Sequence, residues 1–300
     1  MVTMTASLTG AVRLNDWGVI RAQGEEAAQF LHSQLTQDFA LLGMQEARLA
    51  GFCSAKGRLL ATMIGWKADE QTVLLALPLE LLPAIQKRLS MFVLRAKCKL
   101  SDVSAEIGLW GAVGEADGTP RWSLARDGTA QRIRLPDAGA GSRWLVAQPA
   151  SNALNLPVIS VQDWHWQTLE SGLPTVLAAT TEQFVPQMLN LELLGGVNFQ
   201  KGCYPGQEVV ARSQYRGTLK RRTYLFETAG TAAPGQEIFH SEDPGQPAGL
   251  VANTAQRDGR SLLLAETKIA ALAGGSLHLG APDGPLLTPR ALPYALTQAE

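Results

Sequence analysis

The residues best suited to chemistry lie in KGCYPGQEVVAR, residues 201–212. The thiol of Cys203 follows the amine of Lys201 by two positions, and a Pro205-Gly206 turn signal separates it from Glu208 and Arg212. Apolar residues return only at Val209 and Val210, so the stretch reads as a polar loop running into regular structure. A thiol reacts as the thiolate, which a nearby cation or a helix N-terminus favours. If residues 207–214 are helical, Cys203 lies just ahead of a helix N-terminus and its free N–H groups. Glu208 opposes this less if it pairs with Arg212 four residues on. Two readings stay open on these residues alone: a reactive thiol, or a small packing residue in a tight loop. No histidine is near in sequence, which argues against a Cys-His hydrolase.

Other chemistries find little support. The three cysteines, Cys53, Cys98 and Cys203, are scattered, odd in number and without a CxxC pair. That pattern fits a reducing compartment and no disulfide framework. The four histidines are scattered too, so no metal site is expected. The glycines of 108–114 form no phosphate-binding loop. The 26 basic and 27 acidic residues give a net charge of -1, so no global field draws nucleic acid, and direct nucleic-acid binding is not expected. Locally, Arg95, Lys97 and Lys99 alternate onto one face, and Arg212, Arg216, Lys220, Arg221 and Arg222 form a denser basic cluster. Either is a solvated surface or a hold for an anionic ligand or partner. The N-terminal ten residues show no signal or transit pattern and no apolar run is long enough for a span, so a cytoplasmic protein without membrane contact is expected. Without coiled-coil heptads or a long apolar stripe, a monomer is expected.

The surrounding pattern indicates how such a loop is held. Strand signals at VIRAQG, RLLATMIGW, TVLLALP, IGLWGAVG and RWLVAQ alternate with helical spacing at 25–35 and 79–92. RAKCKLSDV alternates as a further strand. Thr180 and Gln183 have capping-box spacing, but Pro186 limits that segment to a short helix or turn. After Gly217, RRTYLFET, EIFH, AGLVANT, SLLLAET and SLHLG read as short antiparallel strands of a small barrel or sandwich. A boundary near 217 therefore divides 1–217 from 218–300.

KGCYPGQEVVAR closely resembles the KGCYxGQE signature of the YgfZ proteins, relatives of the folate-dependent aminomethyltransferase of glycine cleavage, the T-protein. The signature covers Lys201, Gly202, Cys203, Tyr204, Gly206, Gln207 and Glu208, with Arg212 behind it. The resemblance continues through LNDWGVI, FLHSQLTQD, FCSAKGRLLA, DWHWQTLESGLPTV, EQFVPQMLNLELLGGVNFQ, SQYRGTLKRR and LPYAL, nearly the whole chain.

The resemblance implies an α+β, three-part ring: two interwoven α+β parts carrying a folate site, and a C-terminal antiparallel β-barrel. It implies tetrahydrofolate or a one-carbon derivative as ligand, with Trp17 and Trp164 as the folate-site tryptophans. It implies Cys203 and Lys201 as the reactive pair. It also implies a role in assembling or repairing iron–sulfur client enzymes, including tRNA-modifying ones. T-proteins carry an Asp-Asp pair where this chain has Ala61 and Thr62, neither of which can exchange a proton in that role. Aminomethyl transfer would then need another carboxylate, such as Asp16 or Asp38. A docking adaptor using Arg221 and Arg222 is a third reading. Taken alone, the tryptophans read as core. Glu170 reads as structural or as a hydrogen-bond acceptor near the pocket.

Overall fold

Long apolar runs in a chain this rich in glycine favour sheets buried on both faces, and the structure, a computed structural model describing residues 8–215 and 219–296, is organised around such sheets. In chain order, β1 (Gly10–Arg13) and β2 (Trp17–Gln23) lead to α1 (Ala27–Gln34). Next come β3 (Ala47–Cys53), β4 (Leu59–Asp69), β5 (Thr72–Pro78) and α2 (Leu82–Val93). The strands β6 (Lys99–Asp102), β7 (Ile107–Glu115), β8 (Leu124–Asp127), β9 (Ala130–Ala138) and β10 (Gly141–Pro149) precede α3 (Val161–Glu170). After two short 3₁₀ turns comes α4 (Gln207–Tyr215). The chain continues through β11 (Arg221–Ala229), β12 (Glu237–His240), β13 (Asp243–Arg257), β14 (Arg260–Lys268), β15 (Leu277–Leu279) and β16 (Thr288–Arg290).

The strands form a five-stranded sheet β3-β4-β5-β2-β6, a second five-stranded sheet β1-β7-β10-β9-β8, and a six-stranded sheet β15-β12-β13-β14-β11-β16. Successive strands β1 and β2 sit in different sheets, as do β6 and β7, so the first two sheets are interwoven. The third sheet curls. Leu279 N donates to Pro285 O at 2.9 Å and Leu287 N to Leu277 O at 2.8 Å, while Thr288–Arg290 pairs with β11. One segment thus links both edges of the sheet, and no long edge is left to template aggregation.

The hydrophobic clusters explain the residue choices. In β14, Leu263 and Ala265 fill the inside of the curl, while Leu262 and Leu264 pack with Trp166 and Leu169 of α3. Both faces are buried, so SLLLAET reads as a continuous apolar run rather than an alternation. Helix α3 starts on Ser160, whose hydroxyl accepts from Asp163 N at 3.0 Å, an N-cap of the usual kind. Its Trp164 joins the main core and its Trp166 the third-sheet cluster, so α3 is the bolt between them.

Several expectations need adjustment. Thr180 does not cap a helix at Gln183: its hydroxyl accepts from Leu177 N at 3.0 Å inside a 3₁₀ turn. In RAKCKLSDV only Lys99–Asp102 is strand, and Lys97 pairs with Glu25 at 2.7 Å. The basic cluster is largely neutralised. Arg212 pairs with Glu208 at 2.7 Å, Arg221 bonds Glu266 at 2.9 Å, and Arg222 is buried against Glu192. Arg216 and the boundary residue Gly217 lie outside the described residues. Cys53 is buried, with its thiol pushed up to about 12 by burial, and Cys98 is half-buried. Among the described residues no helix is long and apolar enough to cross a membrane.

Candidate functional site

Two places concentrate the candidate side chains. The first is a cavity of about 140 Å³ where the three sheets and α3 meet. Trp17 and Ile64 reach it from the first sheet, Leu135, Arg143 and Leu145 from the second, and Asn253 and Thr254 from the third. Helix α3 contributes Trp164, His165, Thr168 and Leu169, at the spacing of one helical face. Asp16, Trp17 and Leu177 also line a neighbouring cavity of about 510 Å³, so these three form the partition between inner and outer space.

Strand irregularity aims part of the lining. The register of β13 against β14 slips between Val251 and Asn253, and a slip of this kind re-aims side chains. Asn253 then holds the 173–177 segment, accepting from Thr175 N at 2.9 Å and donating to Thr175 O at 2.8 Å. Thr62, at the position of the missing carboxylate, is 3% exposed, and its hydroxyl accepts from Val176 N at 3.0 Å. Ala61 is wholly buried. Thr62 thus ties down the 173–177 segment behind the lining, and neither position offers an acid.

The charges of the cavity are asymmetric. At the partition, Asp16 pairs with His165, Oδ2 to Nε2, at 3.3 Å. The hydrogen bond from His165 holds the Asp16 carboxyl below its usual value, against the opposing effect of burial. Deeper in, Arg143 is 0% exposed and its guanidinium lies 4.5 Å from the Trp164 ring centroid. It donates to Ser171 Oγ at 2.7 Å and Thr168 Oγ1 at 2.5 Å. Burial, and then neighbouring Arg134, pull Arg143 down to about 9, still cationic at neutral pH. Two buried polar atoms of this lining, Arg143 Nε and Thr254 Oγ1, have no hydrogen-bond partner in the protein.

Trp17 and Trp164 therefore share one cavity but differ in kind. Trp17 is half-buried, whereas Trp164 is 4% exposed, covered by Arg143 and set against Gly111. A Cβ at Gly111 would come within 2.3 Å of that indole, which is why β7 has no side chain there. Glu170 is not among the lining residues; it accepts from Gln167 at 3.2 Å.

The second place is the 201–212 loop. Helix α4 does begin at Gln207, just after the turn, with Gly206 at φ +79. The loop is locked to the AKGR segment. A Cβ at Gly206 would stand 2.4 Å from Ser54 O, and one at Gly57 would stand 2.8 Å from Val209 Cβ. Asn198 Oδ1 accepts from Gln200 N and Lys201 N at 2.8 and 3.1 Å and shapes the approach. Gly202 and Cys203 are exposed; Lys201 and Tyr204 are buried. The Lys201 amine donates to Gly202 O at 3.1 Å and lies 4.7 Å from the Tyr204 ring centroid. Neither Lys201 nor Cys203 lines the cavity of the tryptophans.

Burial lowers Lys201 to about 8, with Asp38 and Cys203 opposing the shift. An unfolded lysine keeps its proton up to about 10.5. Between these values the unfolded chain binds more protons, so folding stability climbs with pH there and is flat below. Wild type is expected to gain stability from pH 8 to pH 10 relative to Lys201→Met, in chemical-denaturation midpoints; parallel pH profiles would refute the perturbed amine.

Histidine also reaches this loop, which the sequence did not reveal. His32 Nδ1 bonds Asp38 Oδ1 at 2.9 Å, and a Cβ at Gly202 would lie 3.3 Å from His32 Nε2. Asp38 thus belongs to the thiol loop and Asp16 to the cavity. Arg143 and Thr254 were missed as well. The available signal for Arg143 was a lone charge within the otherwise apolar strand SRWLVAQ.

No protein-family model matches the chain. An uncharacterized protein of Haemophilus influenzae is 30% identical over 260 residues, covering 83% of this chain and 85% of that protein. The tRNA-modifying protein YgfZ of Klebsiella pneumoniae is 27% identical over 310 residues, 95% of this chain and 93% of its own length. That of Colwellia psychrerythraea is 28% identical over 235 residues, 73% and 72% of the two chains. Among solved structures, the glycine cleavage system aminomethyltransferase T of Bartonella henselae superposes with a TM-score of 0.77 at 16% identity, over 96% of this chain and 87% of that one. The chain belongs to the YgfZ family and has the T-protein fold.

Proposed function

We propose that this protein binds tetrahydrofolate or a one-carbon derivative in the cavity between the sheets and supports assembly or repair of iron–sulfur enzymes, including tRNA-modifying ones. The observation that carries the reading is the cavity itself: half-buried Trp17 at its partition, and unpartnered polar atoms of Arg143 and Thr254 within. Its volume of about 140 Å³ is close to that of a ~150 Å³ engineered cavity that accepts benzene. The inner cavity therefore takes about one six-membered ring of the two-ring heterocycle, and the outer cavity offers room for the rest of the ligand. In this reading residues 1–217 hold the ligand and 218–300 close it in through Asn253 and Thr254. Trp17 offers a face to the ring, and Trp164 supports Arg143. When bound, the folate would supply one-carbon chemistry.

Cys203 is the proposed reactive thiol, with Lys201 beside it. Its exposure, apart from the cavity, suits contact with a client protein rather than with the bound ring. The chain is expected to work in the cytoplasm, as a monomer. The test is saturable quenching of tryptophan fluorescence by tetrahydrofolate under anaerobic conditions, with affinity falling about tenfold or more in Trp17→Ala. No saturable binding by the wild type would end the folate reading. Cys203→Ser is expected to bind folate normally yet fail to restore iron–sulfur enzyme activity in cells lacking the protein; full restoration would remove the thiol.

One observation favours a second reading, aminomethyl transfer. Asp16 is a carboxylate at the partition, although Ala61 and Thr62 carry none. Methylene transfer from an amine donor, lost in Asp16→Asn but retained in Asp38→Asn, would select it.

A further inference from the structure

Arg143 is a buried cation without a counter-ion. No carboxylate of the described residues lies within ion-pair distance of it, and Asp137, the nearby acid that favours its charge, bonds Arg134 instead. Taking a charge out of water without a partner is costly. The protein meets part of that cost with neutral acceptors: two hydroxyls and the carbonyl of Pro136 at 3.3 Å. Its Nε still has no partner, and the residue lines the cavity together with the unpartnered hydroxyl of Thr254. The Nε atoms of Arg21, Arg48 and Arg134 are also buried without a partner, but of the four arginines only Arg143 lines this cavity, where an electron-rich oxygen of a ligand would complete it.

The position of Arg143 selects which oxygen. It is wholly buried, whereas the Asp16 side chain is 52% exposed and borders the outer cavity. A flexible anionic tail has no need to enter the inner space and keeps its hydration outside. A flat ring entering past Trp17 brings an edge to Arg143. We infer that Arg143 is the specificity-determining residue of the inner cavity, receiving the 4-oxo oxygen of a 2-amino-4-oxo heterocycle, with Thr254 as a second polar contact. This rests on the folate reading and adds the orientation of the ring, polar edge inward and tail outward. Trp164 acts through Arg143, holding the guanidinium plane by the ring contact at 4.5 Å.

The test compares tetrahydrofolate with its 4-amino-4-deoxy counterpart, which presents a donor where the natural ring presents an acceptor. Both are titrated by calorimetry against wild type, Arg143→Met and Arg143→Lys. Wild type is expected to prefer the 4-oxo ligand by at least about tenfold, the worth of a charge-assisted hydrogen bond. In Arg143→Met that preference vanishes, because the tetrahydrofolate affinity falls. The unliganded Arg143→Met protein is expected to melt no lower than wild type, since an uncompensated charge has been removed. If Arg143→Met does not fold, the wild-type preference and its reduction in Arg143→Lys decide. Equal affinity of wild type for both ligands, or an undiminished preference in the variants, overturns the inference while leaving folate binding intact. Absence of binding to either ligand removes both the inference and the reading beneath it.

Discussion

Gly206→Ala is expected to destabilise the protein by about 3 kcal/mol, measured as a lowered midpoint in urea unfolding. The left-handed φ of +79 alone costs a non-glycine residue about 1–2 kcal/mol. The added methyl would also sit 2.4 Å from Ser54 O and 2.6 Å from Gly57 Cα, both backbone atoms that cannot rotate away. Overpacking of this kind typically adds about 1–3 kcal/mol. The control is Gly128→Ala, in the turn between β8 and β9, where φ is +56 and nothing lies within 4 Å. It should show the conformational part alone. Because Gly206 touches the AKGR segment, Gly206→Ala should also change the rate at which Cys203 reacts with a thiol reagent, whereas Gly128→Ala should not. Equal costs at the two glycines would disprove the interlock of the two motifs.

A comparable loss is expected at the pair that fastens the third sheet to the rest. Arg222 and Glu192 have side chains 5% and 6% exposed, and Arg222 also bonds Gln187 O and Asn190 Oδ1 at 3.2 Å each. Burial raises the Glu192 carboxyl, and Arg222 holds it back. Arg222→Met leaves that carboxyl buried and alone, at a cost of about 3–5 kcal/mol. Glu192 then holds its proton more tightly in the fold than in the unfolded chain. The deficit should therefore shrink as pH falls through the carboxylate range and grow toward neutrality. The double variant Arg222→Met with Glu192→Leu should recover most of the loss, because replacing both partners removes the stranded charge. If the double variant is as unstable as the single one, the pair is not what fastens the sheet there. The same burial weakens the docking-adaptor reading: Arg222 presents no surface to a partner, and Arg221 is engaged by Glu266.

The local elements were legible where one face or both faces of a segment decide its character. The β4–β5 hairpin, the stripe of Leu82, Ile85 and Leu89 in α2, and the run SLLLAET all follow from burial period and turn chemistry. The 180–190 segment was less legible. Thr180 looks like a helix cap by spacing, but the backbone donor it satisfies, Leu177 N, precedes it. Arg222 looked like surface beside other cations, because nothing local reveals that Glu192 faces it.

By itself the sequence determined the polar, turn-bearing character of the 201–212 loop, the helix behind it and the strand content of the C-terminal third. These depend on near neighbours in the chain. Only the tertiary structure brought Trp17, Arg143, Trp164 and Thr254 to one cavity, placed the His32–Asp38 pair beside Gly202, and kept Cys203 off the cavity wall. The reason is that burial and charge compensation are set by pairing between distant strands. A lone arginine in an apolar strand announces that a partner must exist, but where the sheets meet decides whether the protein or a ligand provides it.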